Sequence, residues 1–343
     1  RAQLQRLGAM LGPVVFRQQG APDFAPLQIA PWADEAGAEH LPGILRRLRG
    51  EWPCVPFGRT DRPAGLPAPW TAREPGDGWG HGYASNHEWQ WQRSDDPLTL
   101  SLAIEPPGPL RRLTRTVRAL ADAAALEITL LIEARERCSL PIALHPTFRL
   151  DAGAVQLVVP GFDMGISYPS SAEPGVSTLA PNGSFDSLAQ VPCADGGHLD
   201  LTRFPLAIDT EELLQLREVR GPVTLHYLDA GWSVQLEWDH GTLPDVMLWV
   251  SHRGRSHAPW NGRHLALGVE PVHGVFDLGR VAAPPADHLL ADRAGIALDP
   301  HAPLSLRYRL SAAPTPDHAR ESPLCAGAAR PHTAGRSPVA AKE

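Results

Sequence analysis

Lysine is almost missing from this chain: Lys342 is its one example among 343 residues. That scarcity excludes two enzyme classes. A Walker-type phosphate loop needs a lysine behind its glycines, and a pyridoxal enzyme needs one for its Schiff base. Cysteine is scarce too. Cys54, Cys138, Cys193 and Cys325 form no C-x-x-C pair, so neither a zinc ribbon nor a disulfide framework is expected, only buried free thiols. There is no G-x-S-x-G elbow and no H-E-x-x-H pair. No apolar run reaches the length of a membrane span or has the form of a signal peptide, so a cytoplasmic protein without a membrane partner is expected. A net charge of −7 argues against a general nucleic-acid partner. Arginines cluster at Arg46, Arg47 and Arg49 and at Arg111, Arg112, Arg115 and Arg118, but Leu48, Leu113 and Val117 interrupt them. They read as solvated faces of strands or helices. Among the 15 histidines, the pairs His81/His87 and His252/His257 lack the close spacing of a compact metal site, and no metal is expected.

Proline and glycine are plentiful instead, 36 and 31 residues spread along the whole length. Few windows remain for an uninterrupted helix. Strand signals recur. Leu126, Ile128, Leu130 and Ile132 alternate with Glu127, Thr129, Leu131 and Glu133, a two-residue period. Val155–Val159, Val223–Leu228, Ser233–Trp238, Val246–Val250 and Leu304–Leu310 read as further strands, with a hairpin turn at Asp229–Trp232. The alanine-rich stretch from Ala119 to Leu126 reads as a turn, because alternation sets in directly after it. Glu211–Leu214 reads as a short turn. Many strands separated by Gly/Pro turns predict an all-β fold, a large antiparallel β-sandwich. No linker divides the first 310 residues, so a single domain is expected over 1–312. The Pro-, Ala- and Gly-rich segment 313–343 is expected to be a flexible tail, since it has too few large apolar residues to offset its ordering entropy.

Three polar islands stand out in the β-rich background. Gly80-His81-Gly82 is followed by Asn86; His145 lies in Leu144-His145-Pro146-Thr147-Phe148; Glu270 lies in Gly268-Val269-Glu270-Pro271. Each has a plain structural reading: a glycine-rich surface loop, a core histidine satisfied by backbone, a strand-end glutamate paired with Arg263. Each also has a chemical one. Histidine at a strand end titrates near neutrality, and a carboxylate behind apolar strand residues has its pKa raised towards that of a general base. Asp245 and Arg59 are candidates for binding hydroxyls, Asp245 with turn capping as its plain alternative and Arg59 with a surface position as its own. Trp79, Trp89, Trp249 and Trp260 lie near the islands, where a tryptophan can stack on a sugar face or fill the core.

In this order and these contexts, the islands resemble those of the aldose 1-epimerase (galactose mutarotase-like) family. His81-Gly82 with Asn86 matches its H-G-x-x-x-N loop. Leu144-His145-Pro146-Thr147-Phe148-Arg149-Leu150 matches in part its N-H-x-Y-F-N-L stretch, with Leu144, Thr147 and Arg149 as departures. Glu270-Pro271 matches its glutamate, and Arg49–Gly58 resembles a G-x-x-P-x-x-P-F-G segment of bacterial relatives. The resemblance implies a galactose mutarotase-like supersandwich, monomeric or homodimeric, and a cofactor-independent isomerase that interconverts the anomers of an aldohexose. Glu270 would take the anomeric proton while His145 protonates the ring oxygen, the two held on opposite sides of the ring. His81, Arg59, Asp245, Asn86 and Trp249 would bind the monosaccharide. Two alternatives use the same fold: a non-catalytic carbohydrate-binding protein and a hexose-phosphate mutarotase. The phosphosugar stretch T-D-R-x-Y has only Asp209-Thr210-Glu211-Glu212-Leu213-Leu214 as a counterpart, without its arginine. A lyase or glycosidase would need a tyrosine or second carboxylate beside the histidine; Tyr83, next to His81-Gly82, is the one tyrosine near an island.

Overall fold

The computed structural model of the chain describes residues 1–18, 21–74, 78–93 and 97–320. Most of the segment expected as a tail, residues 321–343 with Cys325 and Lys342, lies outside the described residues.

The two-residue hydrophobic period builds two large antiparallel sheets, one of nine strands and one of eight among the described residues. The middle of the nine-stranded sheet runs Trp232–Trp238, Leu304–Pro314, Ala125–Ala134, Leu110–Ala119. Leu126, Ile128, Leu130 and Ile132 are buried while Glu127 is exposed, so this sheet has one dry and one wet face. The alanine-rich stretch between the last two of these strands is a turn.

The eight-stranded sheet is different. Its middle strands are Thr210–Arg217, Asp245–His252 and Leu265–His273. Every residue of Asp245–His252 is buried. Val246, Leu248 and Val250 pack with residues of the nine-stranded sheet in the inter-sheet core. Met247 and Trp249 belong to a second cluster, with Trp32, Trp52, Trp260 and Phe276. A strand side chain points to alternate faces, so this sheet is covered on both sides. The second cover is made of loops and short 3₁₀ turns, and the candidate site lies beneath it.

Four expectations need correction. Glu211–Leu214 is no turn; it lies inside the Thr210–Arg217 strand. Paired glutamates look like surface, but both carboxylates are buried and supplied with donors. Glu212 accepts from Thr178 N at 2.5 Å and Thr178 Oγ1 at 2.9 Å, and Glu211 from Trp249 Nε1 at 2.6 Å and Ser251 Oγ at 3.0 Å. Arg115 is not on a solvated face. It shares the inward face of its strand with Leu113 and Val117 and meets Glu51 and Tyr308 in the core. Arg49 is also buried, bonded to Asp34 at 2.7 Å. The last strand runs to Pro314, two residues beyond Ala312: Ala313 pairs with Ser233, Pro314 with Trp232, and Ala319 is buried in a helical turn over Asp317–Arg320. Of the cysteines, Cys54 is buried, whereas Cys138 and Cys193 are only partly so, and all three are free. No helix among the described residues is long and apolar enough to cross a membrane.

Candidate active site

Strand register assembles the site. Ile142–Leu144 and Thr147–Arg149 both pair with Leu265–His273, Ala143 opposite Val272 and Thr147 opposite Gly268. The break between them therefore places His145 opposite Glu270. On its other side, the His145 N–H donates to Trp52 O at 2.9 Å, next to the Pro53–Cys54 strand. Glu270 in turn faces Met247 across the sheet. Trp52, His145, Glu270 and Met247 thus form one row on the covered face. Thr147, Gly268, Trp249 and Leu213 form the next. Two islands distant in sequence meet here through strand pairing, and the third arrives from a loop, where the His81 N–H donates to Gly58 O.

The row ends in close contacts. His145 Nε2 lies 3.4 Å from Glu270 Oε1. The imidazole stacks on Trp52 with ring centroids 4.0 Å apart, and the edges of His81 and Trp249 lie near it, at 5.4 and 5.7 Å between centroids. Nδ1 of His145 is 3.2 Å from Thr147 Oγ1. A cleft of about 170 Å³ opens over the row. Trp52, His81, His145, Trp249, Trp260, Glu270, Arg255 and Asp277 line it with apolar residues from Ile44 to Leu48. An imidazole and a carboxyl group are therefore side by side in one cleft.

Burial disfavours the charged form of both members of the pair. Burial, then the neighbouring His81 imidazole, pushes His145 well below the ordinary imidazole range. Burial, then the nearby charge of Asp277, pushes Glu270 well above the usual carboxylate range. Arg263, the plain structural partner for Glu270, is bonded to Glu35 instead. Neither oxygen of Glu270 has a hydrogen-bond partner within the protein, nor do His81 Nδ1 and Trp52 Nε1. Unsatisfied polar atoms shielded from water are costly, and four on one cleft wall are the mark of a polar ligand's place.

The other expected site residues divide. Trp249 lines the cleft and donates from Nε1 to Glu211. His81 lines it from a left-handed backbone turn, φ 57°, ahead of a one-turn helix, Gly82–Asn86. Burial, then the charges of Arg280, Arg255 and Arg59, lower its pKa to about 4. The Asn86 side chain braces the loop. Its Oδ1 accepts from Ile44 N at 3.1 Å, and its Nδ2 donates to Gly80 O and Gly82 O at 2.7 and 2.8 Å. Asp245 is a correction. Its carboxylate is buried outside the cleft and fully engaged by Gln215 Nε2, the Glu218 N–H and Arg293. Arg59 stands behind the lining, bonded to Asp61 at 2.8 Å, with Nη1 3.5 Å from Tyr168 OH.

Asp277 and Arg255 line the cleft without having been singled out in the sequence. Tyr168 OH donates to Asp277 at 2.7 Å. Burial raises the Asp277 pKa, opposed by Arg59 and Tyr168. The Arg255 guanidinium lies over Trp260, 4.6 Å from the ring centroid, and pairs with Glu211 at 3.0 Å. Both residues sit on loops with no periodicity around them, so spacing carried no signal for either. Trp52, by contrast, was within the Arg49–Gly58 segment.

No protein-family profile and no curated protein sequence matches the chain. Solved structures do. An Escherichia coli K12 protein provisionally named an aldose 1-epimerase is 17% identical, with a TM-score of 0.59 over 92% of this chain and 96% of its own. A Caenorhabditis elegans GalM/aldose epimerase homologue is 14% identical, with a TM-score of 0.56 over 92% and 96%. A galactose mutarotase-like protein from Lactobacillus casei is 15% identical, with a TM-score of 0.55 over 91% and 96%. With its two large antiparallel sheets, the chain has the galactose mutarotase-like fold.

Proposed function

We propose that the chain is a cofactor-independent isomerase of the aldose 1-epimerase type, acting on a monosaccharide in the cleft. One observation carries this reading: a buried His145/Glu270 pair at 3.4 Å, with both carboxyl oxygens lacking a hydrogen-bond partner, on the floor of an aromatic cleft. A cyclic sugar bears two oxygens on its anomeric carbon, the hydroxyl and the ring oxygen. Ring opening removes a proton from the first and supplies one to the second. Neighbouring acid and base groups meet that need better than groups across the ring, because the two oxygens share one carbon. One member of the pair takes the hydroxyl proton while the other gives its own to the ring oxygen. The C1–O5 bond breaks, the aldehyde turns about C1–C2, and reclosure on the other face runs the transfers in reverse. Each placed group contributes about 10²–10⁴-fold over water. Trp52, Trp249 and Trp260 offer apolar faces for the ring.

Arg255 and Arg59 are engaged by Glu211 and Asp61. That supports an uncharged sugar over a phosphorylated one. Polarimetry on freshly dissolved α-glucose and α-galactose tests the reading. Wild type is expected to accelerate mutarotation, and His145→Ala and Glu270→Gln to lose at least about 10²-fold while still binding sugar by calorimetry. Binding without acceleration in wild type would make the protein a carbohydrate-binding module instead.

A further inference from the structure

We propose that Asp277 is the residue that selects the sugar: its Oδ2 atom accepts a hydrogen bond from one ring hydroxyl of the bound monosaccharide, other than the anomeric one. The proposal deepens the monosaccharide reading and rests on it. It is independent of which member of the His145/Glu270 pair moves which proton.

Every hydroxyl that leaves water for this cleft brings a proton in need of an acceptor. Among the described residues, the carboxyl groups that line the cleft are those of Glu270 and Asp277. Glu270 stands 3.4 Å from His145 and serves the anomeric centre in the reading above. Asp277 is left for the rest of the ring. One of its oxygens is engaged, since Tyr168 OH donates to Oδ1 at 2.7 Å. Among the described residues, no other residue bonds Oδ2, and the side chain keeps part of its surface open to the cleft.

The backbone around Asp277 is held from several sides. Gln215, buried in the Thr210–Arg217 strand, donates to Gly274 O at 2.9 Å and accepts from the Phe276 N–H at 2.7 Å. It also donates to Asp245 at 2.8 Å, so Asp245 serves the cleft at second hand. Phe276 takes a left-handed conformation, φ 46°, which is costly for a bulky residue. On the far side, the Arg59 N–H donates to the Asp277 carbonyl oxygen at 2.8 Å. The Tyr168 hydroxyl then fixes the carboxyl group itself. An acceptor held this way cannot follow a misplaced hydroxyl. A sugar with its hydroxyl at the matching carbon and on the matching face pairs with it, and one without leaves the carboxyl group unpaired, which is costly.

Calorimetry on wild type and Asp277→Asn tests this, with whichever of D-glucose and D-galactose wild type binds more tightly and with the analogues of that sugar lacking one ring hydroxyl each. Asp277→Asn is expected to weaken the parent sugar about tenfold or more. One analogue is expected to bind wild type about tenfold more weakly than the parent does, yet to bind Asp277→Asn no more weakly, because hydroxyl and carboxyl group are partners. The other analogues are expected to lose the same factor in both proteins. A merely structural Asp277 would weaken the whole series alike. Tyr168→Phe keeps the carboxyl group and removes its brace; it is expected to cut the same coupling about threefold, and it carries the test if the Asn variant does not fold. Unchanged affinity for the parent sugar in these variants, or an equal loss for every analogue in all the proteins, would overturn the proposal. A wild type that binds sugar without speeding mutarotation would overturn the isomerase reading, while the coupling would still decide the role of Asp277. A wild type that binds neither sugar would overturn both.

Discussion

Gly268 sets where the carboxyl group of Glu270 can stand. A Cβ at this position would lie 2.5 Å from Glu270 Oε1 and 3.1 Å from the Trp249 Cβ. The two residues share the covered face of one strand, so a methyl group there displaces the acid from His145. Gly268→Ala is expected to slow mutarotation about 10²-fold through misplacement of the reacting group. Its stability cost should stay near 1–3 kcal/mol, as for other overpacked sites. Polarimetry and urea unfolding on the same sample separate the two effects. His264 shows the same burial logic in a structural role. Stacked on Trp249 and bonded to Ser251, it is held neutral, with a pKa lowered to about 3 by burial and then by Arg255. The unfolded chain takes up this proton near pH 6.5. Stability is therefore lost as pH falls from about 6.5 towards 3, and this residue contributes about 1.4 kcal/mol per pH unit. His264→Gln should flatten that slope in urea unfolding at pH 6.5, 5.5 and 4.5.

At the scale of elements, the short helix Gly82–Asn86 is a bracket. It is too short to be stable alone, and its surroundings hold it. Gly82 takes a φ of 85°, and a Cβ there would strike the Val55 carbonyl at 2.4 Å, so the chain needs glycine behind His81. Asn86 then ties the helix to the 3₁₀ turn Gly43–Arg47, at its buried Ile44. Asn86→Ala strips the buried Ile44 N–H of its acceptor and frees two carbonyls. The expected cost is about 2–3 kcal/mol by urea unfolding, with weaker galactose binding by calorimetry as His81 loses its support. The histidine, glycine and asparagine were visible in the sequence as one motif. Their division of labour was not, because which polar atom meets a ligand depends on what else reaches it. Asp245 and Asp277 make the same point. Asp245 opens a strand and Asp277 lies in the loop after one, yet Arg293 and Gln215 occupy the first, while the second opens on the cleft.

Across the whole molecule, the two sheets are joined by apolar packing and by buried polar contacts, among them a cluster at Arg115. Arg115 and Tyr308 project from the nine-stranded sheet, and Glu51 precedes the Pro53–Cys54 edge of the other. Tyr308 OH donates to Glu51 Oε1 at 2.8 Å, and Arg115 Nη2 bonds the other oxygen. Glu51 lies beside Trp52, so this cluster anchors the end of the row that carries His145. Arg115→Met would leave a buried carboxylate without its cation. It is expected to cost about 3–5 kcal/mol in urea unfolding, partly recovered when Glu51→Gln is added.

The sequence by itself determined the class of fold and the chemistry on offer. Alternation of period two, broken by glycine and proline, is a local property, and it specified strands, their faces and a β-sandwich. The three islands named the candidate side chains of the cleft. Tertiary structure alone decided how they stand to each other. Register across three strands put His145 against Glu270, packing buried Arg115 and the Glu211–Glu212 pair, and a loop cover brought Asp277 and Arg255 over the row. Those outcomes depend on long-range contacts that fix burial, and burial sets both the pKa of a group and whether its polar atoms remain for a ligand.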